Sequence, residues 1–269
     1  MQNNGYIIEE SQGVKYLRFR RLIEAGFPHH AFSTRIGGIS PAPYDSMNLG
    51  FTVRDEEQNL IENRKIFMNA MGLGDLEIKQ LISLVHGNKV ITTGDLNGGP
   101  NPAEADGILT DEYNIPLVTT YADCIPIIMA DPVSGACGVI HAGWRGTFAG
   151  IAMEAVETFR KAYKSSPPDI IACICPGIGL CCFETGEDVA GEFLDKYYIW
   201  KDLAHKISNK NKWKIDLPGL NRRLLIQSGL SNDNIVQADT CTRCRGDLFF
   251  SYRRDGQASG RMAAVIARR

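Results

Sequence analysis

Between residues 78 and 140 the chain offers four short β-rich apolar runs in succession: Ile78 to Val85, Ile115 to Tyr121, Pro126 to Ala130 and Ala136 to Ile140. Strands joined this way cannot all be parallel, because a parallel pair needs a long crossover, usually a helix. The stretch therefore excludes strict β-α alternation and favours an α+β layered sandwich with mixed sheets over a doubly wound sheet. Further strand signals fall at His30 to Thr34, Ile170 to Ile174, Ile235 to Ala238 and Met262 to Ala267. Asp55 to Gly74 reads as an amphipathic helix with acidic residues at its start. Thr147 to Tyr163 reads as another, with Thr147 as its N-cap and Pro167 and Pro168 beyond its end. Gly186 to Tyr197 and Pro218 to Gly229 complete the expected helices.

With 269 residues and 44% hydrophobic composition the chain can bury a sizeable core. No linker, low-complexity tract or repeat divides it, so a single domain over residues 1–269 is expected. The formal net charge of −2 gives no general attraction for nucleic acid or an anionic membrane, which points to a small-molecule substrate. The basic stretch Lys201 to Lys214 has Asn and Ser spacers and reads as a solvated loop. The first ten residues lack the basic and apolar regions of an export signal, and no apolar run is long enough to span a bilayer. A cytoplasmic protein is expected, with its eight cysteines reduced.

Three apolar runs end in a metal-binding residue beside a turn: LISLVHG at His86, LVTTYADC at Cys124 and CGVIHAGW at His141. Strand ends in one sheet lie close together, so these residues can converge. Two imidazoles and a thiolate suit a tetrahedral zinc ion, and three protein ligands leave a fourth position for water or substrate. Each residue alone also fits a packed core position. Cys124 could instead be a nucleophile with His141 or His86 as its base, as in a cysteine hydrolase.

The remaining cysteines are weaker signals. Cys241 and Cys244 form a C-x-x-C without a partner pair, which reads as two buried thiols. Cys181-Cys182 and Cys173-x-Cys175 also lack metal-cluster spacing, with Cys175 and Cys182 expected to be structural or to line the site; Cys137 is expected in the core. A non-catalytic metal-binding or redox module built on Cys241 and Cys244 is a third class of reading. In HAGWRGTFAG, Gly143, Gly146, Arg145 and Thr147 stand at a helix mouth, where backbone N–H groups and an arginine could hold phosphate.

The segments FSTRIGGIS, SMNLG, ENR, LVHG, ADGILT, TTYADCIPIIMADP, GVIHAGWRGT, PGIGLCCFETG, DTCTRCRGDLFFSYRRDG and SGRMAAVIAR occur in order from about His30 to Arg268. Together they resemble the laccase-domain family, also called the YfiH-like or multicopper polyphenol oxidoreductase family. ADC followed by HAGWRGT is the most specific part. The resemblance implies a single α/β/β/α sandwich with zinc on His86, Cys124 and His141. It also implies phosphorolysis of adenosine, inosine and S-methyl-5′-thioadenosine to the free base and a ribose 1-phosphate, with adenosine deamination alongside. For that chemistry Asp106 and Asp123 are candidate proton shuttles. Arg64, Arg35 and Arg145 are candidates for phosphate, and Asn48 and Gln80 for hydrogen bonds to the nucleoside. One departure from the family pattern is Cys175 in ICPGIG, where a glycine is expected. A blue-copper laccase needs about ten histidines, whereas this chain has His29, His30, His86, His141 and His205. That leaves phenol oxidation by Cu²⁺ in the same site as a side reaction at most.

Overall fold

Alternating large side chains decide which layers each strand separates. In the computed structural model, which describes residues 5–81, 84–98, 104–208 and 210–269, the Ile125–Ala130 strand is buried throughout. It sends Ile125, Ile127 and Met129 into one core and Ile128 and Ala130 into another. Met262–Ile266 does the same, with Met262, Ala264 and Ile266 on one side and Ala263 and Val265 on the other. A strand that is apolar on both faces must lie between two packed layers.

Two six-stranded mixed sheets result. The first runs in the order Tyr6–Ser11, Val14–Phe19, His30–Ser33, Met262–Ile266, Leu117–Tyr121, Lys79–Gln80. The second runs Ile235–Gln237, Ile171–Ile174, Ile125–Ala130, Cys137–Ala142, Gly107–Thr110, Val90–Thr92. Parallel pairing is confined to Lys79–Gln80 in the first sheet and to the two edge strands of the second. The sheets face each other across a core that includes Phe19, Phe32, Tyr121, Ile128, Val139 and Cys137. Helix Glu57–Ala70 covers the outer face of the first sheet through Phe67 and Met68. Helices Ile151–Tyr163 and Leu217–Gln227 cover the second through Val156, Phe159, Leu220 and Leu224. The layers are thus α/β/β/α, as the sequence implied. A small antiparallel sheet of Glu184–Thr185, Trp213–Ile215 and Ala204–Lys206 lies outside the two main sheets.

Several expected elements change. The run Ile78 to Val85 yields only Lys79–Gln80 as a strand, and residues 82–83 lie outside the described part. The expected helix Thr147 to Tyr163 is two helices, Trp144–Ala149 and Ile151–Tyr163, joined at Gly150 with φ 90°. Gly143, not Thr147, caps the first of them, and the Thr147 hydroxyl instead accepts from Asn221 Nδ2 at 2.9 Å. Tyr6–Ser11 and Val14–Phe19 were missed because charged residues interrupt their apolar pattern. Val90–Thr92 and Gly107–Thr110 are too short to signal themselves. Among the described residues no helix is long and apolar enough to cross a membrane.

The left-handed conformation at Gly150 is one an L side chain adopts at a cost of about 1–2 kcal/mol. A Cβ there would meet only Met153 Sδ, at an ordinary 3.7 Å, so space is not the limit. Gly150→Ala should therefore lower unfolding stability by about 1–2 kcal/mol, and Gly150→Asn by less, since Asn tolerates this region. Urea denaturation midpoints of the three proteins check this.

Candidate metal centre

Leu117–Tyr121 belongs to the first sheet and Ile125–Ala130 to the second, so residues 122–124 cross from one layer to the other. Cys124 ends that crossing. In the second sheet Ile125 pairs with Ala142 and Pro126 with His141, which brings His141 beside Cys124. His86 arrives on the loop after Lys79–Gln80. The expectation that all three residues end strands of one sheet is therefore corrected. His141 lies within Cys137–Ala142, His86 lies on a loop, and the three meet where the two sheets join.

The convergence itself is as expected: one ligand atom from each of His86, Cys124 and His141 lies within 4.8 Å of the others. The two imidazole centroids are 4.9 Å apart. Gly143 closes over the group. A Cβ there would stand 2.8 Å from His86 Nδ1 and 3.4 Å from Cys124 Sγ, so only glycine leaves the donors their room. Two imidazoles and a thiolate are a donor set that could hold a borderline metal ion such as zinc.

Asp106 organises this group from behind. It is fully buried, and its carboxylate accepts from the His86 amide at 2.9 Å, the Gly87 amide at 2.7 Å and His141 Nδ1 at 2.9 Å. The last bond fixes the His141 tautomer and leaves Nε2 as its ligand atom, the carboxylate–histidine arrangement common behind metals. Burial alone would raise the Asp106 carboxyl; bonds from His141 and the Gly87 amide outweigh it and hold it below its ordinary value. Burial would likewise raise the Cys124 thiol, but the His141 cation, with hydrogen bonds from both imidazoles, draws it down to about 6. Burial opposes charge on His141, yet the Cys124 thiolate and Asp106 push it up to about 9. His86 and Asp123 are non-glycine residues with φ of 57° and 82°. Such backbone strain beside a site persists only where surrounding contacts enforce it.

A cavity of about 610 Å³ opens in front of the three ligands, within the range for small-molecule sites. Arg64, Arg145, Gln80, Arg261, Phe51 and Tyr252 are among its walls, and no carboxylate is found among its described lining residues. Each arginine lies over a ring: Arg64 over Phe51 and Arg145 over Trp144, both at 4.1 Å, and Arg261 over Tyr252 at 5.9 Å. Burial lowers Arg64 to about 10, which leaves it cationic at neutral pH.

Other candidates stand apart from the cavity. Arg35 donates to Asp45 O and Gly246 O and lies over Phe250. Asn48 is buried, donating to Asp55 and accepting from the Gly50 and Arg261 amides, so it holds the backbone of Arg261 rather than a ligand. Asp106 faces the back of the ligands. Asp123 accepts from Thr242 Oγ1, Ser251 Oγ and the Arg253 amide, which engages both oxygens of its carboxylate. Phe51, Tyr252 and Arg261 went unnoticed as candidates; Arg261 stands just before the last core strand, in the SGRMAAVIAR segment.

Of the two roles expected for Cys175 and Cys182, Cys175 takes the structural one, in the core between the sheets, and neither is among the cavity walls. Cys241 and Cys244 are not two buried thiols: Cys244 is exposed, and both come together with Cys181 and Cys182. The fold joins pairs that are far apart in sequence, which spacing alone could not reveal.

Two facing mixed sheets with His86, Cys124 and His141 gathered at their junction, behind an arginine-lined cavity, are features that comparison with known proteins assigns to a family. The chain belongs to the multi-copper polyphenol oxidoreductase laccase family, whose model matches residues 29–269. It is 34% identical over 242 residues to the purine nucleoside phosphorylase YlmD of Bacillus subtilis, covering 87% of this chain and 86% of that one. It is 35% identical to the purine nucleoside phosphorylase YfiH of Escherichia coli, covering 87% and 91%. The human purine nucleoside phosphorylase LACC1 is 35% identical, with 88% of this chain matching 55% of that longer protein. Among solved structures, YlmD from Geobacillus stearothermophilus superposes with a TM-score of 0.83 at 30% identity, covering 97% of this chain and 98% of that one. Bacillus licheniformis hypothetical protein YfiH gives the same score at 29% identity, covering 97% and 99%.

Replacing the buried acceptor tests its role. Asp106→Asn keeps the shape but offers an amide to groups that are all donors, so it should weaken metal affinity about 10–100-fold. Competition against a fluorescent zinc chelator measures the change, and circular dichroism checks that the fold survives.

Proposed function

We propose that this protein is a zinc-dependent purine nucleoside phosphorylase. It would cleave adenosine, inosine and S-methyl-5′-thioadenosine with phosphate to the free base and ribose 1-phosphate or its methylthio counterpart, and also deaminate adenosine. The observation that carries this reading is a cavity with three arginines on aromatic rings, no described carboxylate in its wall, and the His86, Cys124 and His141 group at its base. The relatives named purine nucleoside phosphorylase support it. The whole chain, 1–269, acts in this reading as one catalytic domain. A reducing compartment such as the cytoplasm suits the thiolate it requires.

The residues divide the work by their chemistry. A zinc ion held by His86, Cys124 and His141 supplies Lewis acidity to the bound substrate; copper in the same site would account for any phenol oxidation. Phe51, Trp144 and Tyr252 offer flat surfaces for a purine and ribose, and Gln80 an amide for hydrogen bonds. Arg64, Arg145 and Arg261 bind phosphate and hold it near the ribose. A phosphate oxygen bonds to C1′ as the N-glycosidic bond breaks, its negative charge favouring the positive charge developing on the sugar, and the purine leaves with the bonding pair and takes up a proton from water or from hydrogen phosphate. Asp106 acts through His86 and His141, which it positions. Asp123 holds the Asp123-Cys124 turn through Thr242 and Ser251.

Mass spectrometry of the products decides the reaction class. Incubation of adenosine, inosine and methylthioadenosine should release base with ribose 1-phosphate only when phosphate is present, and base release independent of phosphate would refute phosphorolysis. Arg64→Ala should raise the KM for phosphate at least tenfold, since a charge-assisted contact is worth about 1.5–3 kcal/mol.

Asp106, His141 and Cys124 also form the acid–imidazole–thiol line of a cysteine hydrolase. With His141 oriented by Asp106 as the base of a hydrolase, His86 separates the two readings, for it completes a metal site and would only assist the Cys124 thiolate in a hydrolase. His86→Ala should abolish activity together with bound zinc. If activity survives in metal-free protein and iodoacetamide at Cys124 eliminates it, the hydrolase reading holds instead.

A further inference from the structure

A second group of donors lies well outside the cavity. Cys181 and Cys182 follow the Gly177–Gly179 turn, while Cys241 and Cys244 sit on the loop after Ile235–Gln237. Their sulfurs all lie within 4.8 Å of one another, with Cys182 Sγ 3.4 Å and Cys181 Sγ 3.6 Å from Cys244 Sγ. A tetrahedral zinc ion with sulfur ligands at about 2.3 Å sets its sulfurs about 3.8 Å apart, close to these separations. We propose that Cys181, Cys182, Cys241 and Cys244 form a tetrathiolate site for a structural zinc ion, separate from His86, Cys124 and His141.

The surroundings match that chemistry. Four thiols give up their protons when they bind zinc, and four thiolates around a divalent ion leave a centre with net negative charge. Donors already point at the sulfurs: the Gly179 amide reaches Cys241 Sγ at 3.3 Å and Arg243 Nη1 reaches Cys182 Sγ at 3.5 Å. Arg253 Nη1 donates to the Cys182 carbonyl at 3.4 Å, which adds a second cation beside the cluster. Four protein ligands leave no open position, so the ion's role is to tie two loops together.

Those loops support the catalytic turn. The Thr242 amide donates to Gly177 O at 3.0 Å, its hydroxyl donates to Asp123 at 2.6 Å, and the Ile178 amide donates to Asp123 O at 2.8 Å. The tetrathiolate thus clamps the two segments that hold Asp123, the residue before Cys124. It does not depend on which reaction the cavity catalyses.

Metal counting on the full chain, purified with reductant, tests the proposal. Plasma mass spectrometry should find two zinc equivalents in the native protein and one in His86→Ala/Cys124→Ser. Zinc X-ray absorption of that double variant should show a shell of four sulfurs at about 2.3 Å. Cys241→Ser/Cys244→Ser should lose one equivalent and keep the other; should it fail to fold, the absorption spectrum of the first variant decides alone. The proposal is overturned if His86→Ala/Cys124→Ser holds no zinc, if its zinc has a nitrogen-containing shell, or if iron takes zinc's place. A disulfide among the four cysteines in the reduced native protein, seen by intact mass, would overturn it equally.

Discussion

The carboxylate of Asp106 is the interaction on which the site depends. A buried charge is costly unless it is paired and hydrogen-bonded, and here three donors meet it: two successive amides of the His86 loop and one imidazole nitrogen. One side chain thereby fixes two ligands that come from different layers. The left-handed backbone at His86 fits the same logic, because two adjacent amides can reach one carboxylate only if the chain turns sharply there.

Much of the fold was legible because the central strands are buried on both faces. Ile125–Ala130, Cys137–Ala142 and Met262–Ile266 announce themselves as largely apolar runs, and the four successive runs between residues 78 and 140 argue against a doubly wound sheet. Of the edge strands Ile235–Gln237 was legible, whereas Tyr6–Ser11 was not, since a solvent face admits charges that break its apolar pattern. The break at Gly150 was hidden because helix-compatible residues run on both sides of it, and only the glycine marks the change of direction.

The site divides in the same way. His86, Cys124 and His141 could be named because each follows an apolar run beside small turn residues and because the family resemblance implies them, although the route by which they meet involves two sheets, not one. Arg64, Gln80 and Arg145 reach the cavity, while Arg35 and Asn48 build its frame. Nothing in a polar residue's local sequence tells whether it faces a ligand or a neighbouring carbonyl. The four clustered cysteines make the same point more strongly, since their association exists only once two distant loops have been folded against each other.

The three-residue passage from one sheet to the other has a mechanical consequence. His141 is fastened to the second sheet, whereas the His86 loop follows an edge strand of the first, with Cys124 ending the short tether between them. Any slippage of one layer over the other would stretch the triangle of donor atoms directly. The core between the layers, packed with Phe19, Phe32 and Tyr121, therefore acts as a spacer whose thickness sets the bite of the ligands. Substitutions there would change the separation of His86 from Cys124 and His141 as well as the stability of the layers.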